Sequence, residues 1–268
     1  MASQSGPEQL KRLAGKRIAV IGAGSIGQGW GNGKATAVAF ARESAHVLCV
    51  DRDEVAASET ARLIAEEGGE AEVFAADVTD SNVGEAVVGA MTRAFGGIDI
   101  LHYNVGTSSR GGPAETTDAD WARVFDINLT GALRLTRSVL PAMRSQGAGV
   151  LTYVSSMAAV YSGPYSYVSY EASKAALCRF SRSVAKENAP HGIRANVILP
   201  GVIATPHVNA VVAPDADPDD VARARAAMVP LGRQGTAWDI ANAAVFLASD
   251  DAGFITGIEL KVDGGMSC

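Results

Sequence analysis

The chain predicts an α/β fold, a parallel sheet doubly wound by helices on both faces, and three observations carry that prediction. Short β-branched runs alternate with longer stretches of helical periodicity from residue 16 to residue 262. A glycine-rich turn joins the first such run to the first helix. No Pro/Gly/Ser-rich linker divides the 268 residues into two apolar halves, so a single domain is expected over 16–268, preceded by a flexible tail at 1–15.

Residues 16–22, Lys-Arg-Ile-Ala-Val-Ile-Gly, form a β-branched run stopped by glycine, the pattern of a strand buried on both faces. Glycine recurs at 22, 24, 27, 29, 31 and 33, and helical periodicity follows over 34–42. Such a strand, glycine turn and helix start offers backbone N–H groups and the positive end of a helix dipole to a pyrophosphate. Gly22-Ala23-Gly24-Ser25-Ile26-Gly27 matches Gly-x-Gly-x-x-Gly, and a second strand at 46–50 runs into Asp51. A carboxylate there accepts hydrogen bonds from both adenine-ribose hydroxyls and repels a 2′-phosphate, which favours NAD over NADP; Arg52 next door tempers this. A P-loop is excluded, because Gly33-Lys34 is followed by Ala35 and the position five before Gly33 is Gln28.

The alternation continues with a helix at 54–67, a strand at 71–76, a helix at 81–95, a strand at 98–103 and a long helical stretch at 118–144. A strand at 150–154 opens into Ser155-Ser156, a helix at 167–188 stops before Pro190 and Gly192, and a strand follows at 193–199. Residues 200–230 carry scattered prolines and acids around a short alanine-rich helix, consistent with a lid over about 206–230. A last helix at 238–248 and a last strand at 258–262 complete the pattern.

Within the helix at 167–188, Tyr170 and Lys174 stand four residues apart and share one face. A free phenol, with a pKa of roughly 10, is a poor base near neutrality, but a cation held close favours the phenolate. Such a tyrosine exchanges protons with an alcohol or ketone.

Composition excludes several functions. A net charge of −6 with dispersed Lys and Arg provides no basic stripe for nucleic acid and no polybasic membrane anchor. Apolar runs such as 149–154 and 193–199 are far shorter than the ~20 residues a bilayer needs. Cys49, Cys178 and Cys268 are odd in number and far apart, as expected of free thiols in a reducing compartment. Residues 1–10 lack the basic and apolar regions of a secretory signal, so a cytoplasmic location is expected. His46, His102, His191 and His207 show no metal spacing, and no metal is expected; of the four only His207, beside the lid, is placed to touch substrate. Ser156, in Val-Ser-Ser-Met-Ala, lacks the glycine elbow of a serine hydrolase.

Together the motifs resemble the short-chain dehydrogenase/reductase family over about residues 16–265: Tyr170-x-x-x-Lys174, Ser156 at a strand end, Asn128 in Asp126-Ile127-Asn128-Leu129, Asp77-Val78, Asn104-Val105-Gly106, Pro200-Gly201-Val202-Ile203-Ala204-Thr205 and Val262-Asp263-Gly264-Gly265. The resemblance implies a Rossmann-type domain with a seven-stranded parallel sheet. It implies Tyr170 as acid/base, Lys174 lowering its pKa and binding the nicotinamide ribose, Ser156 on the substrate oxygen, and Asn128 holding a water in the proton relay. It further implies Asp77 and Val78 at the adenine, Asn104 at the middle of the cofactor, and Ile203 and Thr205 at the carboxamide. A homotetramer is implied as well, with the helices at 118–144 and 167–188 at one interface and the strand region 258–265 at another.

Three departures from the family pattern stand out. Ile21 replaces the usual Thr, Tyr103-Asn104-Val105-Gly106 replaces Asn-Asn-Ala-Gly, and the glycine loop is stretched by about five residues, roughly 26–30, if Gly31-Asn32-Gly33 aligns with its end. Gly22 and its fellow glycines thus leave open which touches pyrophosphate; Asn32 is the expected helix-start contact and Ser25 the expected adenosine-side contact. Trp30 either covers the cofactor or stands in the loop without touching it. The expected activity is hydride transfer between NAD(H) and a secondary alcohol or ketone, a small to medium, largely apolar cyclic or aryl compound. The alternatives are a 3-oxoacyl thioester reductase, an enoyl-thioester reductase using Tyr167 in Tyr-x6-Lys spacing, and a non-catalytic NAD-binding sensor.

Overall fold

The computed structural model describes residues 11–163, 166–208 and 217–268. Strands β1 (Arg17–Ile21), β2 (His46–Asp51), β3 (Glu70–Ala75), β4 (Ile100–Tyr103), β5 (Gly149–Val154), β6 (Ile193–Pro200) and, after a two-residue pair, β9 (Glu259–Val262) form one seven-stranded sheet. Its order is β3-β2-β1-β4-β5-β6-β9, and every pairing is parallel. The helices are α1 (Asn32–Arg42), α2 (Glu54–Glu66), α3 (Val83–Phe95), α4 (Asp118–Phe125), α5 (Gly131–Gln146), α6 (Val168–Asn188), α7 (Pro218–Ala227) and α8 (Ala237–Ala248).

The β-branched runs of the central strands are unbroken because these strands feed two cores. In β1 and β2, Ala19, Ile21, Leu48 and Val50 enter one core with Val87 of α3, Leu135 and Val139 of α5 and Leu177 of α6. The alternate residues Ile18, Val20, Val47 and Cys49 enter the other core with Val38 and Phe40 of α1, Ile64 of α2 and Ile240 of α8. Opposite faces of a pleated strand thus face separate helical layers. The strand order reverses where β1 lies between β2 and β4, and the carboxyl ends of β1 and β4 diverge there into a crevice.

Three details differ from the sequence reading. The helical stretch at 118–144 is α4 and α5 joined by a π-turn, Asp126–Thr130, and α5 runs on to Gln146 with Pro141 inside it. The chain leaving β6 forms a two-residue strand, β7 (Ile203–Ala204), that pairs with β8 (Gly235–Thr236) just before α8, a length too short for any alternation to register. Residues 11–15 are not a loose tail: Leu13 is fully buried, its N–H bonds to Glu43 O at 3.2 Å, and Arg12 pairs with Glu43 at 2.6 Å. One apolar side chain with a place in the core is enough to pin that turn; residues 1–10 lie outside the described residues. Of the expected lid, α7 is the short alanine-rich helix, and residues 209–216 lie outside the described residues. Among the described residues no helix is long and apolar enough to cross a membrane.

Candidate active site

A cavity of about 640 Å³ opens at the carboxyl ends of the strands. The glycine turn after β1, the turns after β4, β5 and β6, one face of α6, and α7 wall it. The start of α6 is fixed by the 111 loop: Gly111 N–H donates to Ser166 O at 3.0 Å, and Val168 N–H donates to Gly111 O at 3.2 Å. From there one helical turn carries Tyr170 and Lys174 into the same wall, with Ser156 beside them from the end of β5.

Lys174 is buried, with 3 % exposure, and its Nζ donates to Val154 O at 2.9 Å. Burial lowers its pKa to about 8. It lies 5.8 Å from the Tyr170 ring centroid. A Cβ on Gly106 would stand 2.9 Å from Nζ, so a residue without a side chain makes room for the ammonium. Burial holds the Tyr170 phenol above its ordinary value, while hydrogen bonding with Ser156 draws it down. The cation on the same helix face does not overcome that desolvation here: both members of the pair are pushed toward their neutral forms.

Asn128 sits in the π-turn, fully buried, and its side chain does not line the cavity. Its Oδ1 accepts from Thr107 N–H at 2.8 Å, and its Nδ2 donates to Thr107 O at 2.9 Å and to Ser173 Oγ at 2.8 Å. Both N–H donors of that amide are used in tying the Thr107 loop to α6, and Oδ1 keeps one acceptor site beyond its bond from Thr107.

Of the residues expected at the cofactor, Ser25, Asn32, Asn104, Ile203 and Thr205 line the same cavity, together with Gly24, Gly31 and Gly33. Gly22 does not: with φ of 81° it is the turn itself, packed on Asn104 and Val105, and its carbonyl accepts from Asn104 Nδ2 at 3.1 Å. Asp51 is joined to the cavity through Gly24, whose N–H donates to Asp51 Oδ2 at 2.9 Å. Asp77 lies outside the cavity on a separate recess with Arg52 and Ala76, its carboxylate accepting from Thr79 N–H and Oγ at 2.8 and 2.7 Å. Val78 is buried against the Gly131 position, away from the cavity. Trp30 is not in the wall either; it packs on Trp238 with ring centroids 4.8 Å apart.

The glycine turn fits a dinucleotide phosphate. Buried Ser25 Oγ and Asn32 Oδ1 have no partner among the described residues, and an unmet polar atom in a cavity wall is a place for a ligand's hydrogen bond. The first turn of α1 has Gly31 as its N-cap, with no side-chain cap and no acid, so its N–H groups are left for an anion.

The comparisons with known proteins agree with this geometry. The sequence profile described as Enoyl-(Acyl carrier protein) reductase matches residues 27–267. A crystal structure from Burkholderia xenovorans, described as a short-chain dehydrogenase/reductase, superposes with a TM-score of 0.90 at 42% identity, over 96% of this chain and 98% of that one. The 2,5-dichloro-2,5-cyclohexadiene-1,4-diol dehydrogenase LinX of Sphingobium indicum is 35% identical over 96% of this chain and 98% of its own. This chain belongs to the short-chain dehydrogenase/reductase family. A further neighbour, a 7α-hydroxysteroid dehydrogenase in complex with NADH and 7-oxo glycochenodeoxycholic acid, has a TM-score of 0.87 at 32% identity over 96% of each chain.

Two features of this short-chain dehydrogenase/reductase escaped the sequence reading. Ser155 Oγ donates to Lys174 O at 2.8 Å and so braces α6 from the end of β5, next to Ser156. Thr107, the partner of Asn128, carries no motif of its own. Arg225 of α7 reaches the cavity wall, its Nε donating to Gln234 Oε1 at 3.0 Å and its Nη2 to Ile203 O at 3.2 Å; with burial it keeps the pKa of neighbouring His207 below the ordinary value.

Proposed function

We propose that this protein transfers a hydride between NAD(H) and a secondary alcohol or its ketone. The observation that carries the reading is the meeting of Ser156, Tyr170 and Lys174 in one cavity with a glycine turn whose buried polar atoms lack partners. A bound nicotinamide supplies the hydride acceptor or donor that no side chain can. During oxidation Tyr170 takes the hydroxyl proton, Ser156 holds the substrate oxygen by a hydrogen bond, and Lys174 at the base of the wall favours the phenolate. Asn128 serves by holding the Thr107 loop and Ser173 in register with that wall. Ile203 and Thr205 border the carboxamide and Asn104 the middle of the cofactor, while Asp77, on its separate recess with Arg52 and Ala76, borders the adenine end.

A pocket of about 640 Å³ that also admits part of a cofactor leaves room for a small to medium substrate. Val208, Val221, Ala224 and Met228 on the lid side and Ile26 of the glycine turn are apolar, and among the described residues no acid lines the cavity. A cyclic or aryl secondary alcohol fits these walls. The LinX relative, a cyclohexadienediol dehydrogenase by name, and the hydroxysteroid dehydrogenase neighbour support it. One observation favours a second reading, an enoyl-thioester reductase: Tyr167 lines the same cavity as Tyr170. A panel of alcohols, ketones, 3-oxoacyl thioesters and enoyl thioesters, followed by nicotinamide absorbance, separates the two. Turnover of enoyl thioesters alone would replace the proposed activity.

Asp51, held beside Gly24, supports NAD as the dinucleotide. kcat/KM is expected to be higher with NAD than with NADP, and Asp51→Ala to narrow the gap on the order of ten- to a hundredfold, the value of a charge-assisted hydrogen bond. A wild-type preference for NADP would refute the ribose argument. The reading extends to a cytoplasmic homotetramer, for which the exposed Trp121 of α4 and Leu133 of α5, and Ile258 before β9, offer apolar contact.

A further inference from the structure

The turn that lines the cavity is long, and little of its own backbone holds it. Residues 26–29 are exposed, Gly27 and Gly29 adopt φ of 81° and 107°, and among the described residues no hydrogen bond joins any of residues 25–30 to another part of the chain. A glycine-rich segment of this kind has wide conformational freedom to lose when a ligand orders it. One side chain anchors it. Trp30 packs on Trp238 of α8 at 4.8 Å between ring centroids, and a cation lies over each ring: Lys34 Nζ at 5.3 Å over Trp30 and Arg42 Cζ at 4.6 Å over Trp238. Each cation is held in turn by an acid of the α2 layer, Lys34 by Glu59 at 3.8 Å and Arg42 by Glu67 at 2.6 Å. The column Lys34–Trp30–Trp238–Arg42 therefore fastens the end of the turn to α1 and α8, immediately before the cavity-lining Gly31 and Asn32.

We propose that Trp30 is a positioning residue that pre-orders the glycine turn, so that the Trp30–Trp238 pair sets the affinity for the dinucleotide without taking part in hydride transfer. The proposal rests on the dinucleotide reading above. Pre-ordering lowers the entropy lost on binding, so removal of the anchor weakens binding and leaves the chemical step at saturation alone.

The test is NADH titration of the full-length chain, followed by nicotinamide fluorescence, for the wild type, Trp30→Ala, Trp238→Ala, the double variant and Trp30→Phe, each first checked by thermal melting. Trp30→Ala and Trp238→Ala are each expected to raise Kd about tenfold, which is about 1.4 kcal/mol. The double variant should lose no more than either single one, because both break the same contact. Trp30→Phe should restore most of the affinity. Amide exchange at residues 25–31 in the absence of ligand should be faster in Trp30→Ala. A Trp30→Ala variant that binds NADH as the wild type does, or loses that multiply in the double variant, would overturn the anchor. A wild type that binds no dinucleotide would overturn the functional reading beneath it, and the anchor with it.

Discussion

Tyr170→Phe is expected to lower kcat/KM by roughly 10²–10⁴-fold, the range of a lost general acid/base, while NADH still binds. The variant removes one oxygen and keeps the ring that helps wall the cavity, so the loss falls on proton transfer and leaves the fold intact. The direction of the pH dependence follows from the same residue. Burial keeps the phenol protonated beyond its ordinary range, so the phenolate needed for alcohol oxidation becomes more abundant as pH rises. Oxidation should therefore speed up from pH 6 to pH 9, and ketone reduction, which needs the phenol, should slow over the same interval. Lys174, with its pKa lowered to about 8, loses its proton within that interval, which limits the gain at the upper end. Initial rates in both directions for the wild type and Tyr170→Phe, with Tyr167→Phe as the comparison, decide the matter. If Tyr167→Phe were the inactive variant, Tyr167 would be the working phenol and the alcohol reading would fall.

The sheet was legible because its central strands are buried on both faces, which demands uninterrupted apolar residues such as Ile18-Ala19-Val20-Ile21, and because helix and strand alternate. Tyr170 and Lys174 were legible for a local reason: a spacing of four on one helix places them together whatever the remainder of the chain does. What depends on distant partners was not. The partners of the Asn128 amide, Thr107 and Ser173, lie far from it in sequence, and no local pattern joins them. Trp30 could not be joined to Trp238 by any local pattern, and a two-residue strand such as β7 has no period to detect. Proximity of Lys174 to Tyr170 was readable, but burial was not, and burial dominates both groups. The glycine motif misled in a specific way. Its literal third glycine, Gly27, has nothing within 4 Å of where a Cβ would stand, whereas Gly33, which the alignment of Gly31-Asn32-Gly33 brings to the end of the motif, is where helix meets strand turn.

Gly33→Ala should accordingly be among the most damaging single-methyl changes in the molecule. The added Cβ would stand 1.8 Å from Gly22 O and 2.6 Å from Asn104 Nδ2, and Asn104 is itself bonded to that carbonyl at 3.1 Å. No flexible side-chain tip can swing aside, because the nearest obstacle is the backbone of the β1 turn, so the start of α1 must lift away. Overpacking of this kind costs about 1–3 kcal/mol. For a chain of this size each kcal/mol corresponds to roughly 2–4 °C in Tm, so a fall of several degrees is expected by calorimetry. NADH affinity should fall with it, since the same movement displaces Gly31 and Asn32 from the cavity wall. Gly27→Ala is the matched control: it meets no neighbour and bears only the strain of φ at 81°, about 1–2 kcal/mol for a residue with a Cβ. The two variants therefore separate close packing from backbone freedom within one loop. A Gly33→Ala protein with wild-type Tm and wild-type NADH affinity would mean that the helix start does not press on the strand turn, and the proposal that this loop cradles a phosphate would fall.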